Sequence, residues 1–290
     1  MLRLLAPLIA FLLPAAAAAQ APKDGLPEGT KVEKDLAYGK HERNKLDLVI
    51  PPSEKPLPLV IWIHGGGWEG GSKDGNPAVA LLGKGYAVAG INYRYSQHAP
   101  FPAQLHDCQA AIRFLRDNAK KFNLDADHIG VWGASAGGHL VALLGTSGDV
   151  PELDGDPKST TSVKVQCVVD WFGPTDLTQM VKPGTATPGL IAKLLGGSLT
   201  NKADVAKSAN PITHVTKNDA PFLIVHGDSD PLVPLSQSEI LNEALKKVGV
   251  ATELVVFPKA GHGDGPFRTA VTKEEHRKKM IDFLDKHLKP

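Results

Sequence analysis

Apolar residues along this chain alternate between two patterns. Short continuous apolar runs predict buried strands at residues 59–63, 86–93, 129–132, 163–169, 221–226 and 252–257. Between them, apolar residues spaced three and four apart predict helices at 76–84, 102–122, 136–144, 236–248 and from about 272 to 288. Two further segments, 31–38 and 46–50, alternate loosely and predict an antiparallel pair. The pairs Ser236–Glu239 and Thr272–Glu275 predict capping boxes for the last two helices.

Strands that alternate with amphipathic helices predict an α/β fold, with a mostly parallel central sheet and helices on both faces. We assign residues 31–290 to this domain. The stretch from about 175 to 219 is longer than a crossover needs and is rich in proline and glycine. Such excursions often cover or shape a binding site, so we predict a small lid insertion there.

The first 19 residues have the pattern of a secretory signal. Arg3 precedes an apolar run from Leu4 to Leu13, and alanines follow. The run is short for a membrane span, and Ala17 and Ala19 fit a cleavage site. We therefore predict a signal peptide at 1–19 and a linker at 20–30. The protein is expected to be exported, to the periplasm or outside the cell. An uncleaved membrane anchor is the alternative; after cleavage no stable membrane insertion is expected.

The charge balance and the two cysteines limit the partners and the covalent cross-links that the protein is expected to have. The 290 residues carry a formal net charge of +1 and no basic block, which argues against a nucleic-acid partner. Cys108 falls on the apolar face of a predicted helix and Cys167 within a predicted strand, so both are expected to be buried free thiols. A disulfide between them remains the alternative, because disulfides persist in exported proteins.

A candidate nucleophile lies where one predicted strand meets the next helix. Gly133 to Gly137 fits G-x-S-x-G, the nucleophile elbow that presents a serine, here Ser135, above a sheet. Upstream, His64 is followed by three glycines and Trp68, directly after another strand. This HGGG pattern predicts an oxyanion loop with donors at Gly66 and Gly67, and Ala136 N–H beside the nucleophile as their partner. We expect His64 to hold the loop by hydrogen bonding.

A serine nucleophile needs a base, and the base needs an orienting acid. His262 lies in a glycine-rich loop after the strand that ends near residue 257, and is the predicted base. The loop that begins at His226 offers Asp228 and Asp230. We choose Asp230 as the acid because it sits further around the turn, and expect Asp228 to cap the turn through its own backbone. The order Ser135, Asp230, His262 is that of α/β-hydrolases and indicates a serine hydrolase.

With these motifs the chain resembles the hormone-sensitive-lipase-like branch of the α/β-hydrolase superfamily. More narrowly, it resembles the bacterial acetyl-xylan and feruloyl esterase-like (BD-FAE-type) proteins. The resemblance rests on motifs spread over residues 31–288: 64–68, 92–94, 101–103, 107–113, 133–138, 171–174, 226–230 and 261–263. It implies a carboxylesterase that uses no cofactor and no metal. The expected partner is a small-molecule or polysaccharide ester substrate; the oligomeric state is left open.

Three functions remain as hypotheses. The first is an exported esterase that removes acetyl or aromatic acyl groups from plant polysaccharide. The second is a serine peptidase or amidase of the same superfamily, or a general lipase, and the third is a non-catalytic binding protein. Trp68 follows the oxyanion glycines, and Trp171 with Phe172 ends a predicted strand, so their aromatic rings are candidate walls for the acyl group. Ordinary packing is the alternative. Flat walls would favour short or aromatic acyl groups over long chains.

Overall fold

An eight-stranded sheet forms the centre of the computed structural model, which describes residues 25–180 and 187–289. The predicted signal peptide and the start of the linker lie outside these ranges. The strands are β1 (Lys31–Ala37), β2 (Lys45–Ile50), β3 (Leu57–Ile63), β4 (Ala87–Ile91), β5 (Leu124–Ala134), β6 (Cys167–Trp171), β7 (Phe222–Gly227) and β8 (Thr252–Phe257). Their order is β1-β2-β4-β3-β5-β6-β7-β8. β1 and β2 are antiparallel to their neighbours, and every pair from β4 to β8 is parallel.

Helices cover both faces of the sheet. They are α1 (Ala103–Asp117), α2 (Ala119–Phe122), α3 (Ala136–Thr146), α4 (Thr187–Leu195), α5 (Ala203–Ala209), α6 (Ser236–Lys247), α7 (Gly265–Val271) and α8 (Glu274–Leu288). Short 3₁₀ helices lie at Pro77–Lys84, Pro151–Leu153, Leu177–Gln179 and Pro211–His214. The predicted fold class is therefore confirmed: this is an α/β-hydrolase fold.

The core has two halves, one on each face. All seven residues of β3 are buried because this central strand packs on both sides. Its side chains alternate: Ile61 and Ile63 join the cluster under α1, α3 and α6, whereas Val60 and Trp62 join the cluster under α8 and the helix Pro77–Lys84. Cys108 and Cys167 are buried free thiols in different clusters, as predicted.

Several predicted boundaries were wrong. The helix predicted at 102–122 is divided at Asn118, the C-cap of α1. The strand predicted at 163–169 is β6, Cys167–Trp171, which begins after Gln166. At Gln166 the side-chain oxygen, and not a backbone carbonyl, accepts the Ile129 N–H of β5, while the Gln166 N–H donates to the Ile129 carbonyl. The helix predicted at 76–84 is a 3₁₀ helix that starts at Pro77.

Neither predicted capping box forms. Ser236 is the first residue of α6, and Leu235 before it provides no side-chain cap. The Thr272 hydroxyl donates back to the carbonyls of Arg268 and Thr269, at the end of α7, a helix the sequence pattern did not predict. α8 starts after Lys273.

The described part of the predicted lid stretch, 175–219, contains four helices. Two are the α-helices α4 and α5, and two are short 3₁₀ helices. Two of its helices contribute buried side chains to the cluster under α1 and α3, among them Ile191, Leu194 and Ala206.

Throughout residues 25–180 and 187–289, we find no helix with the length and apolar character needed to cross a bilayer.

Candidate active site

Ser135 occupies a strained turn between β5 and α3. Its φ is +56° and its ψ −122°, a backbone conformation that residues other than glycine rarely adopt. The flanking glycines are required by space: a Cβ on Gly133 would overlap the Gly137 carbonyl, and a Cβ on Gly137 would overlap the Ile63 carbonyl at the end of β3. The predicted elbow therefore forms, with Ser135 at its tip and α3 starting at Ala136.

The glycine loop after β3 lies beside this elbow because β3 and β5 are adjacent parallel strands. A Cβ built on Gly65 would be 3.2 Å from Ser135 Cβ. Gly66 and Gly67 have φ of +110° and +59°, and a Cβ on Gly66 would be 2.5 Å from the Gly70 carbonyl oxygen. Only glycine fits this close turn without strain.

His64 is buried at the base of the same loop. Its Nδ1–H donates to the Gly65 carbonyl over 2.7 Å, and its ring stacks on Tyr93 with centroids 4.4 Å apart. The Arg43 guanidinium lies 3.4 Å from Nε2. Burial, with a smaller effect from the charge of Arg43, lowers the pKa of His64 to about 4. His64 is thus a neutral structural residue, in keeping with its expected role.

Ser135, His262 and Asp230 form a continuous hydrogen-bonded chain. His262 lies in the loop between β8 and α7, and its Nε2 is 2.8 Å from Ser135 Oγ. Its Nδ1 is 2.7 Å from Asp230 Oδ2, in the loop after β7. With Nδ1–H donating to the carboxylate, Nε2 is left to accept the serine proton. The three residues predicted from sequence are therefore brought together at the carboxyl ends of β5, β7 and β8.

The Asp230 carboxylate is held by its own loop. Oδ1 accepts the backbone N–H groups of Leu232 (2.8 Å) and Val233 (2.9 Å), and His226 Nε2 lies 3.5 Å from Oδ2. Burial by itself would raise the pKa of Asp230, but hydrogen bonds from His226, His262 and Val233 and the charge of His262 outweigh it and hold the pKa well below its ordinary value. The carboxylate is ionised at neutral pH.

Asp228, the carboxylate that we did not choose, has a different role from the one expected. Its Oδ1 accepts the Lys259 N–H over 2.7 Å and the Ser229 hydroxyl over 2.9 Å. It therefore connects the acid loop to the loop that carries His262, instead of capping its own turn through the backbone.

Three residues have positioning roles that were not predicted for them. His226 is fully buried, accepts from the Ser238 hydroxyl at Nδ1 and donates to the Val233 carbonyl at Nε2, which fixes the acid loop. Asp264 caps α7 and accepts from the Gly261 and Phe267 N–H groups, both at 2.9 Å, on either side of His262. Asp264 followed two residues later by Pro266 is a helix-start signal that could have revealed α7.

The third is Phe172, whose ring centroid lies 4.6 Å from that of His262. Phe172 has a φ of +43°, and the turn after it is fixed by Asp170, whose Oδ1 accepts the Gly173 N–H over 2.9 Å. Asp170 is fully buried, and its Oδ2 has no hydrogen-bond partner among the described residues. Burial, only partly offset by the Gly173 hydrogen bond and the charge of His226, raises the pKa of Asp170 to about 6.

The two predicted tryptophan walls are core residues. Trp68 is 3% exposed, and its Nε1–H donates to His139 Nδ1 over 3.1 Å. Trp171 is 8% exposed and packs edge-on against Trp62, Trp132 and Phe267. Packing of large aromatic surface explains both positions, so the structure does not support their predicted contact with substrate.

A leucine from α4 lies beside the predicted oxyanion loop, residues 64–68. A Cβ on Gly67 would be 3.1 Å from Leu190 Cδ1 and 3.2 Å from its Cδ2. Lys193, one turn further along α4, pairs with Glu69 of the loop at 2.5 Å. The Leu194 carbonyl accepts the Phe101 N–H, which fixes the end of the same helix. α4 is therefore anchored against residues 67–69 with Leu190 on the glycine.

Solved structures that resemble this chain include proteins named as a carbohydrate esterase and an acetyl ester-xyloside hydrolase. One is a bifunctional GH43-CE protein of Bacteroides eggerthii, 37% identical with a TM-score of 0.80 over 88% of this chain and 38% of the other. A truncated carbohydrate esterase from gut microbiota is 31% identical with a TM-score of 0.79, over 93% of this chain and 100% of the other. An acetyl ester-xyloside bifunctional hydrolase of Caldicellulosiruptor lactoaceticus is 31% identical with a TM-score of 0.71, over 83% and 88%.

Among curated proteins, the chain is 32% identical over 215 residues to esterase LipC of Mycobacterium tuberculosis, which covers 72% of this chain and 53% of the relative. The chain spans about half the length of the curated relatives it matches. The BD-FAE family model matches residues 46–245, which include the oxyanion loop, the elbow and the acid loop. The chain belongs to the BD-FAE family of α/β-hydrolase proteins.

Proposed function

We propose that this protein is a serine carboxylesterase that acts through an acyl-enzyme on Ser135. The observation that carries the proposal is the chain of two hydrogen bonds, Ser135 Oγ to His262 Nε2 at 2.8 Å and His262 Nδ1 to Asp230 Oδ2 at 2.7 Å. Both lengths are within the range for a nucleophile, its base and an orienting acid. Relatives and structural neighbours that carry the names of esterases support the same chemistry.

In the acylation step, Ser135 Oγ attacks the ester carbonyl carbon while its proton passes to His262 Nε2. The ionised Asp230 keeps Nδ1–H oriented and stabilises the imidazolium that forms. The tetrahedral intermediate then breaks its bond to the alkoxy oxygen, which takes the proton from His262 and leaves as the alcohol. A water molecule repeats the sequence on the acyl-enzyme, releasing the acid and restoring Ser135.

The developing oxyanion needs N–H donors next to Ser135. We assign them to Gly66, Gly67 and Ala136. As the first residue of α3, Ala136 has an N–H with no partner within its helix, and the helix N-terminus favours negative charge. The position of the loop supports the glycine assignment: a Cβ built on Gly65 would be 3.2 Å from Ser135 Cβ, and Gly66 and Gly67 are the next two residues.

The proposed substrates are short-chain or aromatic acyl esters, of plant polysaccharide in the first instance. Two of the similar structures are of proteins named as a carbohydrate esterase and an acetyl ester-xyloside hydrolase, which supports this class. Leu190 against Gly67 provides a physical reason for a short acyl group, since it fills space beside an oxyanion glycine.

We also propose that the protein acts outside the cytoplasm. Sequencing the N-terminus of protein recovered from an expressing culture should give Gln20 as the first residue. A protein that still begins at residue 1 would contradict export with cleavage.

A substrate panel tests the function. We expect kcat/KM to be highest for p-nitrophenyl acetate or butyrate and to fall at least about 100-fold at dodecanoate, with release of acetate from acetylated xylan or of ferulate from its methyl ester. An aminoacyl anilide should not be cleaved. Preference for dodecanoate would favour a lipase, cleavage of the anilide a peptidase, and no turnover of any ester a binding protein.

Leu190 offers a sharper test of acyl size. Leu190→Ala should raise the ratio of octanoate to acetate kcat/KM by about tenfold, in proportion to the few methylene groups newly accommodated. Leu199→Ala makes the same truncation at a partly buried leucine of the same segment and should leave the ratio unchanged. An equal shift in both variants would contradict a wall at Leu190.

A further inference from the structure

A buried indole–imidazole pair joins the oxyanion loop to the nucleophile helix. Trp68 is the last of three consecutive residues with positive φ, at +58°, and is the one that is not glycine. Such a conformation persists only when its surroundings hold it. The Trp68 indole lies edge-on to His139 of α3, with ring centroids 5.2 Å apart, and its Nε1–H donates to Nδ1 over 3.1 Å.

His139 is in turn attached to Ser135 and to the segment that precedes β7. Its backbone N–H donates to the Ser135 carbonyl over 2.9 Å, the first turn of α3. Its Nε2–H donates to the Ala209 carbonyl over 2.7 Å, so one neutral tautomer serves both side-chain bonds. Burial lowers the pKa of His139 to about 4, which keeps Nδ1 an acceptor at neutral pH.

We propose that Trp68 and His139 act as a positioning pair that keeps the oxyanion glycines in register with Ser135 and Ala136. This inference rests on the proposed esterase function and gives these two residues a role in it. Neither side chain touches the reacting atoms. The pair acts through the backbone. The indole belongs to the last residue of the strained run 66–68, and the imidazole projects from the first turn of α3, the helix whose first N–H we assign to the oxyanion site.

The backbone of the loop has a separate anchor that does not replace the pair. The Trp68 carbonyl accepts hydrogen bonds from the Ser96 N–H (2.8 Å) and hydroxyl (3.0 Å). These bonds hold the end of the loop to the chain after β4. The indole bond is the one that connects Trp68 to the elbow, so its loss should shift the glycines relative to Ser135 without unfolding the loop.

Trp68→Phe removes the indole N–H and retains most of the aromatic bulk. We expect kcat for p-nitrophenyl acetate to fall about 10- to 100-fold with KM changed less than about twofold, because oxyanion donors act in the transition state. Trp132→Phe is the matched control: Trp132 is 2% exposed, and its Nε1 has no hydrogen-bond partner in the described part of the chain. It makes the same change in a buried indole and should leave kcat within about twofold.

His139 gives a second pair of variants in case Trp68→Phe does not fold. His139→Gln retains one acceptor and one donor, whereas His139→Leu retains neither. We expect the Gln variant to recover at least about tenfold of the kcat that the Leu variant loses. Equal kcat in the two variants, or equal losses in Trp68→Phe and Trp132→Phe, would overturn the pair as a positioning device and leave ordinary packing.

Hydrogen exchange separates this inference from the proposed function. Trp68→Phe should accelerate exchange of backbone amides in residues 64–71 and 136–139 relative to wild type, and Trp132→Phe should not. Wild-type protein that hydrolyses no ester would refute the proposed function, and this exchange pattern would still establish the pair. Unchanged exchange in Trp68→Phe would refute the pair whether or not the wild type is active.

Discussion

The two sides of the candidate site are held in place by different means. On the elbow side, residues 64–71 and 133–139, glycines and left-handed backbone fix the geometry, since there is no room for a Cβ on Gly66, Gly133 or Gly137. On the acid–base side, residues 226–233 and 259–267, polar side chains fix it by accepting backbone N–H groups. Asp230 and Asp264 each accept two backbone N–H groups, and Asp228 accepts one from the loop that carries His262. Steric exclusion governs one side and side-chain hydrogen bonding the other.

This difference leads to different sensitivities. A methyl group added on the elbow side must displace backbone, which is costly in stability. On the acid–base side, a changed carboxylate leaves the imidazole badly oriented, which should lower activity more than stability. The predictions below test that contrast, beginning with the largest expected effect.

One residue removed from each side should abolish most activity. Ser135→Ala and His262→Ala should each lower kcat about 10⁴- to 10⁶-fold, and the double variant should be scarcely worse because the two groups act as a unit. Steady-state kinetics on p-nitrophenyl acetate with each purified variant provide the measurement. Additive losses in the double variant would show that the two sides work independently.

The acid–base side alone is tested by its two aspartates. Asp230→Asn should lower kcat about 10³- to 10⁴-fold, since the amide no longer holds His262 in the required tautomer. Asp228→Asn retains an oxygen for the Lys259 N–H and should cost less than about tenfold. A larger loss in Asp228→Asn would mean that the acid is wrongly assigned.

On the elbow side, Gly137→Ala should lower the free energy of unfolding by about 4 kcal/mol or prevent folding, because the new methyl meets the Ile63 and His64 carbonyl oxygens. Gly83→Ala is the control: Gly83 is exposed, and a Cβ there meets nothing within 4 Å. It should change the free energy by no more than about 1 kcal/mol. Urea unfolding of both variants checks this, and equal stability would contradict the steric account.

Asp170 lies between the two sides, with Oδ1 close to Gly138 of α3 and to Gly173 beside Phe172. A buried acid whose folded pKa is raised to about 6 favours the protonated form, so its contribution is present below the unfolded pKa and lost as pH rises through 6. Asp170→Asn removes this titration and retains an acceptor for the Gly173 N–H.

The stability of Asp170→Asn relative to wild type should therefore rise by about 2 kcal/mol between pH 4.5 and pH 8. Urea unfolding of both proteins at the two pH values provides the measurement. A difference that is constant with pH would show that Asp170 titrates alike in the folded and unfolded states.

The same contrast explains what the sequence could predict. Glycine motifs are visible in sequence, so the elbow at Ser135 and the loop at 66–67 could be predicted with their positions, and so could the strands of the parallel sheet. The acid–base residues could be identified by order along the chain. Their supports could not: Asp228 bonds to Lys259, 31 residues away, and His226 to Ser238 across a loop.

Tryptophans near strand ends were the main misinterpretation. Sequence position alone does not say which way an indole points, and Trp68 turns inward to His139 while Trp171 turns into the core beneath the sheet. The capping boxes failed for a similar reason. Ser236 and Thr272 have the required partners three residues on, but Leu235 and Lys273 are the residues before their helices.

The central claim is that Ser135 is the nucleophile of an esterase, activated by His262. The most direct test is to treat the protein with a fluorophosphonate and locate the adduct by peptide mass spectrometry. We predict a single adduct on Ser135, none in Ser135→Ala, and labelling at least about 100-fold slower in His262→Ala. An adduct on another residue, or labelling at the same rate without His262, would contradict the account.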